Sequence, residues 1–408
     1  MKTLIGIFTF FILSLRLSLA QDFEFNKNRK RETLPFKMVK NMMIIQLQVN
    51  GKGPFNFILD TGVGLILISD PKLIDSVSIK TLRSINIVGF GEDKTLSALI
   101  TPSINIGIGN TNARGVTAAI LKKDIFELSN YVGIPIHGLI GYEFFNSFVV
   151  RINFSASTLT IYHPDKAYFL RKGSRIPISI EERKPYIITG IELKSGQKIP
   201  AKLVIDTGAG HPISLEMLNG VPISVPDERI EGNLGIGLSG PIDGYIGRIE
   251  SLHLGKYTLR NVIAAFPDYE DVASRVFSIN RNGNMGIAVL KRFNVVFDYG
   301  RSAMYIRPSS SLKEPFEHDM AGMEISAIGE NYDRLIITRI EPASAAEEAG
   351  LVKGDEIISI NFKPVSEISL SEIESMFRSR NTRSFVLDVK AKDEKDPERV
   401  FLTLKKRI

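Results

Sequence analysis

The chain has 408 residues, 44% hydrophobic and 24% charged, with 33 glycines, 19 prolines and no cysteine. That length is enough for about two to four globular domains, and the lack of cysteine excludes disulfide frameworks, thiol catalysis and cysteine-borne lipid anchors. The net charge of +6 is scattered in short clusters, so no basic stripe interleaved with aromatics points to nucleic acid.

In chain order, residues 1–20 come first. Lys2, an apolar stretch from Leu4 to Leu15 and a small-residue end at Ser18-Leu19-Ala20 predict a secretory signal peptide. The apolar run is too short to span a bilayer and is broken by Arg16. The mature chain is therefore expected to be periplasmic or extracellular, with no stable membrane insertion after cleavage.

Residues 21–168 and 169–308 then read as two copies of one β-rich unit. Each opens on strand, glycine-containing turn and strand, "MIIQLQVNGKGPFNFILD" and "IITGIELKSGQKIPAKLVID", with apolar residues alternating. Each apolar run ends in Asp-Thr-Gly, at Asp60-Thr61-Gly62 and at Asp206-Thr207-Gly208. An interval of about 80 positions leads from Asp60 to Gly141 and from Asp206 to Gly286. Each glycine is followed by a matching strand, "FVVRINF" or "FNVVFDY". Residues 309–317 are polar and proline-containing and read as a linker.

A carboxylate at the end of a buried strand is costly unless it is paired or hydrogen-bonded. Two of them facing each other can share a proton, because like charges so close cannot both ionise. One then activates water while the other polarises a carbonyl, so peptide hydrolysis needs no metal and no covalent intermediate. The threonine hydroxyls can lock the two loops together, and the glycines let each chain turn tightly beside the carboxylate.

Both segments resemble the active-site loops of retropepsin-like aspartic proteases, in which hydrophobic-Asp-Thr-Gly-Ala/Ser is backed by a later hydrophobic-hydrophobic-Gly. The second motif corresponds to Leu139-Ile140-Gly141 and Asn284-Met285-Gly286. The resemblance implies catalytic Asp60 and Asp206, supported by Thr61, Gly62, Thr207 and Gly208. Val63 stands where the family carries Ala or Ser, and Asn284 replaces an apolar residue. The family's flap hairpins correspond to glycine-rich stretches at residues 88–95 and 233–244. With the copies in tandem, the site can form within one chain as a monomer, the alternative being lobes paired between two domain-swapped chains.

Residues 318–408 resemble a PDZ domain of the kind found in exported bacterial proteases. The matching segments are the strand before Glu341-Pro342, "AGLVKGDEIISIN", and a later amphipathic helix carrying Ile373, Met376 and Phe377. Ser344 and Glu347 are spaced as a capping box. The resemblance implies a peptide added along a sheet edge, its C-terminal carboxylate held near Gly322, Met323, Glu324 and Ile325.

Other signals point nowhere. Gly235, Gly237 and Gly240 satisfy G-x-G-x-x-G, but Pro241 and Asp243-Gly244 continue a turn instead of opening a helix, so no dinucleotide is expected. The five histidines are well separated, and neither a metal nor any other cofactor is expected. The fold class is mainly β: two acid-protease β-barrel lobes plus an α+β PDZ domain. The expected function is an exported aspartic endopeptidase acting on peptide or protein substrates. The rival is an inactive peptide-binding protein using the same groove.

Overall fold

The computed structural model describes residues 22–79, 82–87, 96–167, 173–237, 240–268, 281–392, 394 and 396–408. The expected signal peptide and the first flap stretch, residues 88–95, lie outside the described residues. Each copy begins with a hairpin. In the first, Met42–Val49 pairs with Lys52–Leu59 around Asn50-Gly51, both at positive φ. That geometry is the one Asn-Gly turns favour between twisted strands. In the second, Lys184–Glu192 pairs with Lys198–Asp206.

The same crossing recurs behind each Asp-Thr-Gly. Leu139 lies between Ile58, on a parallel strand, and Leu67, on an antiparallel one. Asn284 lies likewise between Val204 and Ser214. These registers fix the correspondence between copies residue by residue: Ile58 with Val204, Leu67 with Ser214, Leu139 with Asn284, Gly141 with Gly286. The two glycines are required. A Cβ on Gly141 would collide with the Asp60 and Val63 carbonyl oxygens, and one on Gly286 with those of His211 and Ala209.

The matching strands "FVVRINF" and "FNVVFDY" pair with each other, Val150 opposite Phe297 and Ile152 opposite Val295. They form the centre of a six-stranded sheet to which each copy gives three strands. The order is Ser174–Pro177, Ala303–Pro308, Phe293–Asp298, Val149–Asn153, Thr158–Tyr162 and Arg31–Pro35. One apolar cluster consequently runs through both copies, with Phe144, Phe145 and Phe297 fully buried and Phe145 edge-on to Phe297 at 5.3 Å.

The C-terminal unit has its own core around Ile337, Ile357, Ile373, Phe377, Phe385 and Leu387. Its helix Leu370–Phe377 is held by a capping box between Ser369 and Glu372 and buries Ile373 and Phe377. Ser344 caps the short helix Ala345–Glu348 by accepting from the Glu347 N–H, whereas the Glu347 carboxylate accepts from Ala343. Residues 309–317 are tied down more firmly than a linker. Arg292 donates to the Ser311 and Pro315 carbonyls and lies 3.5 Å from the Phe316 ring centre. Gly235–Gly237 ends one strand and Gly240 begins its antiparallel partner, so no helix opens there.

Candidate active site

Asp60 follows the strand Lys52–Leu59, and Asp206 ends the strand Lys198–Asp206. The threonines beside them bind reciprocally. Thr61 N–H donates to Thr207 Oγ1 at 3.0 Å, and Thr207 N–H donates to Thr61 Oγ1 at 2.9 Å. Each hydroxyl then donates to the opposite strand, Thr61 to the Ile205 carbonyl at 2.7 Å and Thr207 to the Leu59 carbonyl at 2.9 Å. Both side chains are fully buried, so these four bonds satisfy groups that water cannot reach.

This brace brings the two carboxylates together. A Cβ on Gly62 would stand 3.0 Å from the Asp206 carboxyl carbon, and one on Gly208 would overlap the Asp60 carboxylate. Only glycine leaves room for the opposite acid. Burial, then the facing Asp206 charge and a hydrogen bond with it, hold the Asp60 carboxyl well above the ordinary carboxylate range. The Gly62 N–H and the more distant Lys184 ammonium pull it down. The loops differ where Val63 and Ala209 differ. Asp206 Oδ1 accepts from Gly208 N–H at 2.9 Å and Ala209 N–H at 3.1 Å. Asp60 Oδ1 accepts from Gly62 N–H at 2.7 Å, while the Val63 N–H turns to the Asp60 backbone carbonyl.

Two turns that sequence reasoning passed over clasp this centre. Lys40-Asn41 and Glu182-Arg183 all have positive φ and close equivalent hairpins of the two copies. Asn41 donates to the Gly210 carbonyl at 3.0 Å, and Arg183 to the Gly64 carbonyl at 3.3 Å. Each turn reaches the Asp loop of the other copy. The signal was present as a polar interruption at the same place in both copies, two residues long at Lys40-Asn41 and four at Glu181-Glu182-Arg183-Lys184.

A cleft of about 190 Å³ opens beside Asp206, lined also by Gly62, Lys184, His211, Ser214 and Asn284. Leu234 and Ile242 reach it from the hairpin Arg229–Gly237/Gly240–Leu254, the second expected flap, of which residues 238–239 lie outside the described set. His211 Nε2 and Asn284 Oδ1 are 2.6 Å apart, so the unexpected Asn284 has a polar partner. Among the described residues no three His, Asp or Glu groups gather into a metal-holding cluster.

The four residues expected to hold a peptide lie on or just before the strand Met323–Ile328, an outer strand of its sheet. Met323 and Ile325 bury their side chains. Gly322 departs from the expectation of a free backbone nest. Its N–H already donates to the Asp319 carboxylate at 2.7 Å. The outward carbonyl of Ile325 is also taken, accepting from Lys40 Nζ of the first copy at 2.8 Å. Burial raises the Glu324 carboxyl against the pull of Arg339 and Lys40.

Residues 45–144 match the family model "Aspartyl protease", and residues 336–390 match the model "PDZ domain". No curated protein matches the chain. Among solved structures, the photosystem II D1 C-terminal processing protease aligns at 21% identity and a TM-score of 0.20. That alignment covers 21% of this chain and 22% of the other, too small a share to bear on function. An aspartyl protease domain carrying the Asp60 loop thus precedes a C-terminal PDZ domain in this mainly β chain.

Proposed function

We propose that this chain is an exported aspartic endopeptidase of the retropepsin-like kind whose site is completed within one molecule. The observation that carries the reading is the pairing of Asp60 and Asp206, one acid from each copy, across the Thr61–Thr207 brace. The shared proton rests on Asp60, the more enclosed acid, whose charged form burial and the facing carboxylate disfavour. Asp206, with two backbone N–H groups on Oδ1, serves as the base.

A water held between the acids attacks the peptide carbon as Asp206 takes its proton. Asp60 donates a hydrogen bond to the carbonyl oxygen, where negative charge develops. The tetrahedral intermediate collapses with cleavage of the C–N bond as Asp206 passes the proton it took from water to the departing amide nitrogen, which restores the Asp206 carboxylate. The hairpin carrying Leu234 and Ile242 covers the substrate on the Asp206 side, and the PDZ domain binds peptides or a partner's C-terminus.

Asp206→Asn removes the base while preserving shape and Oδ1. It should abolish cleavage of a denatured protein or peptide library and leave the unfolding curve unchanged. Wild type that binds peptides yet cleaves none from acid to neutral pH would make this a peptide-binding protein instead. Export predicts a mature chain beginning at Gln21, read by intact mass.

A further inference from the structure

The registers that make the copies equivalent also expose where their chemistry diverges. In the first copy these places hold Ile58, Leu67 and Leu139, continued by Ile136 and, on the hairpin, Met42, packed in apolar clusters with Leu128 and Val132. Beside Asp206 the same places hold Val204, Ser214, Asn284, Arg281 and Lys184. Four of the five apolar positions have become hydrogen-bond donors, and all four line the cleft.

The cations there are Lys184 and Arg281, set against Glu216 and the negative charge the two acids share. Arg281 forms a two-bond pair with Glu216, Nε to Oε2 at 3.1 Å and Nη2 to Oε1 at 2.9 Å, with both side chains more than nine-tenths buried. That pair is neutral and makes a rigid polar floor. Glu181 stands opposite Lys184 across the turn, but it is engaged by Lys202 at 2.6 Å. Lys184 pairs with no carboxylate among the described residues, and it lies close enough to act on Asp60. Asn284 Oδ1 can only accept, so His211 donates from Nε2 and the Asn284 amide N–H groups remain for a ligand. The cleft therefore offers one cation held in no ion pair among the described residues, Lys184, and several donors next to the acids.

We infer that this cleft is a specificity subsite for a substrate residue bearing a carboxylate side chain, Glu or Asp, immediately beside the scissile bond. The opposite copy is apolar at the same places and offers no charge to answer an acid on the other side. The inference rests on the protease reading. The cleaved peptide thus has one acidic and one apolar flank, with the acid answered by Lys184, Asn284 and Ser214.

The test is a peptide series varied at the two flanking positions and read by kcat/KM. Wild type should favour Glu over Leu at one flank by about ten-fold or more, the scale of one charge-assisted hydrogen bond, and Leu over Glu at the other. Lys184→Met, which installs the first copy's residue, should erase the preference for Glu over Gln. Lys184→Arg should keep it, and Lys184→Glu should transfer it to Lys. Ser214→Leu with Asn284→Leu should favour Leu at both flanks. Equal rates for Glu and Leu in wild type overturn the inference, as does a Lys184→Met enzyme with altered pH dependence but unaltered selectivity. If no peptide is cleaved, the protease reading fails separately, and calorimetry decides the subsite. Asp206→Asn protein should then bind the Glu peptide about ten-fold tighter than the Leu peptide, and equal affinity overturns it.

Discussion

Lys40 and Ile325, 285 positions apart, join the protease and PDZ units through a buried hydrogen bond of 2.8 Å from Nζ to the main-chain carbonyl. Ile325 sits opposite Ile337, whose own N–H and C=O bond to Asp355 and Gly354 on the far side. The N–H and C=O of Ile325 consequently face outward, where an added peptide strand would pair. The Lys40 ammonium also lies 4.2 Å from the centre of the Tyr131 ring, and burial lowers its pKa. The neighbouring Gly133 packs closely against Ala327 and Leu370. The first protease copy thus occupies the edge that a PDZ ligand needs.

Lys40→Met keeps the stem and removes the donor. The variant should bind a fluorescent peptide with an apolar C-terminus about ten-fold more tightly than wild type, on the scale of one hydrogen bond to a charged group. Fluorescence anisotropy reads this directly. Identical affinities would show that the contact and the peptide do not compete. Asn41, the next residue, bonds to Gly210 beside the Asp206 loop. Peptide binding to the PDZ unit should therefore change kcat on a small substrate in wild type, and less so in Lys40→Met.

The Thr61–Thr207 brace gives a second expectation. Thr207→Val preserves volume but strands the Thr61 N–H and the Leu59 carbonyl, both buried with the Thr207 hydroxyl as partner. Each buried unsatisfied group costs about 1–3 kcal/mol, so the variant should lose roughly 2–5 kcal/mol in urea unfolding. Thr207→Ser should recover most of it. A loss no larger than that of a surface substitution would show that the brace positions the acids without stabilising the fold.

Much of this centre was legible in the sequence, and the reason is repetition. A lone Asp-Thr-Gly is a common turn, whereas two at equal distance from a second glycine specify two copies of one crossing. Asp60, Asp206, both threonines and all four glycines of the crossing were identified that way. The pairing of Val150 with Phe297 was not, because an alternating pattern marks which face is buried without naming the strand alongside. Lys40 and Lys184 were missed for another reason. Lysines usually lie on the surface, and only the fold shows one ammonium buried against a PDZ strand and another turned towards the acids. Arg292 makes the same point, since "SSSLKEPF" reads as linker until its carbonyls are seen held by a guanidinium.

On the protease reading proposed above, the pH dependence of activity follows from Asp60. Its carboxyl is raised first by burial and then by Asp206. The proton needed on Asp60 should persist above the ordinary carboxylate range, with kcat/KM falling as pH rises through the raised value. Lys184 opposes the rise, so Lys184→Met should move the alkaline limb to higher pH. A limb that stays put, or moves down, would remove Lys184 from the electrostatics of the pair.

Asp319 provides the sharpest stability test, because it belongs to the PDZ unit and stands half-buried beneath the Gly322 turn. Desolvation raises its carboxyl from the usual value near 3.8 to about 6, against the Gly322 N–H and Arg378, which favour the charged form. An acid with a raised folded-state pKa stabilises the fold fully below its unfolded value. That contribution is lost as pH climbs through the folded value. One pKa unit corresponds to about 1.4 kcal/mol, so wild type should give up about 3 kcal/mol between pH 4 and 7 through this group. Asp319→Asn mimics the protonated acid and keeps an Oδ1 acceptor for Gly322. The two proteins should unfold alike near pH 4, and the variant should become progressively more stable towards pH 7.5. Denaturant midpoints of the full chain at several pH values decide it. A gap that stays constant with pH would mean that Asp319 does not titrate in this range, and that its partners hold it in one protonation state throughout.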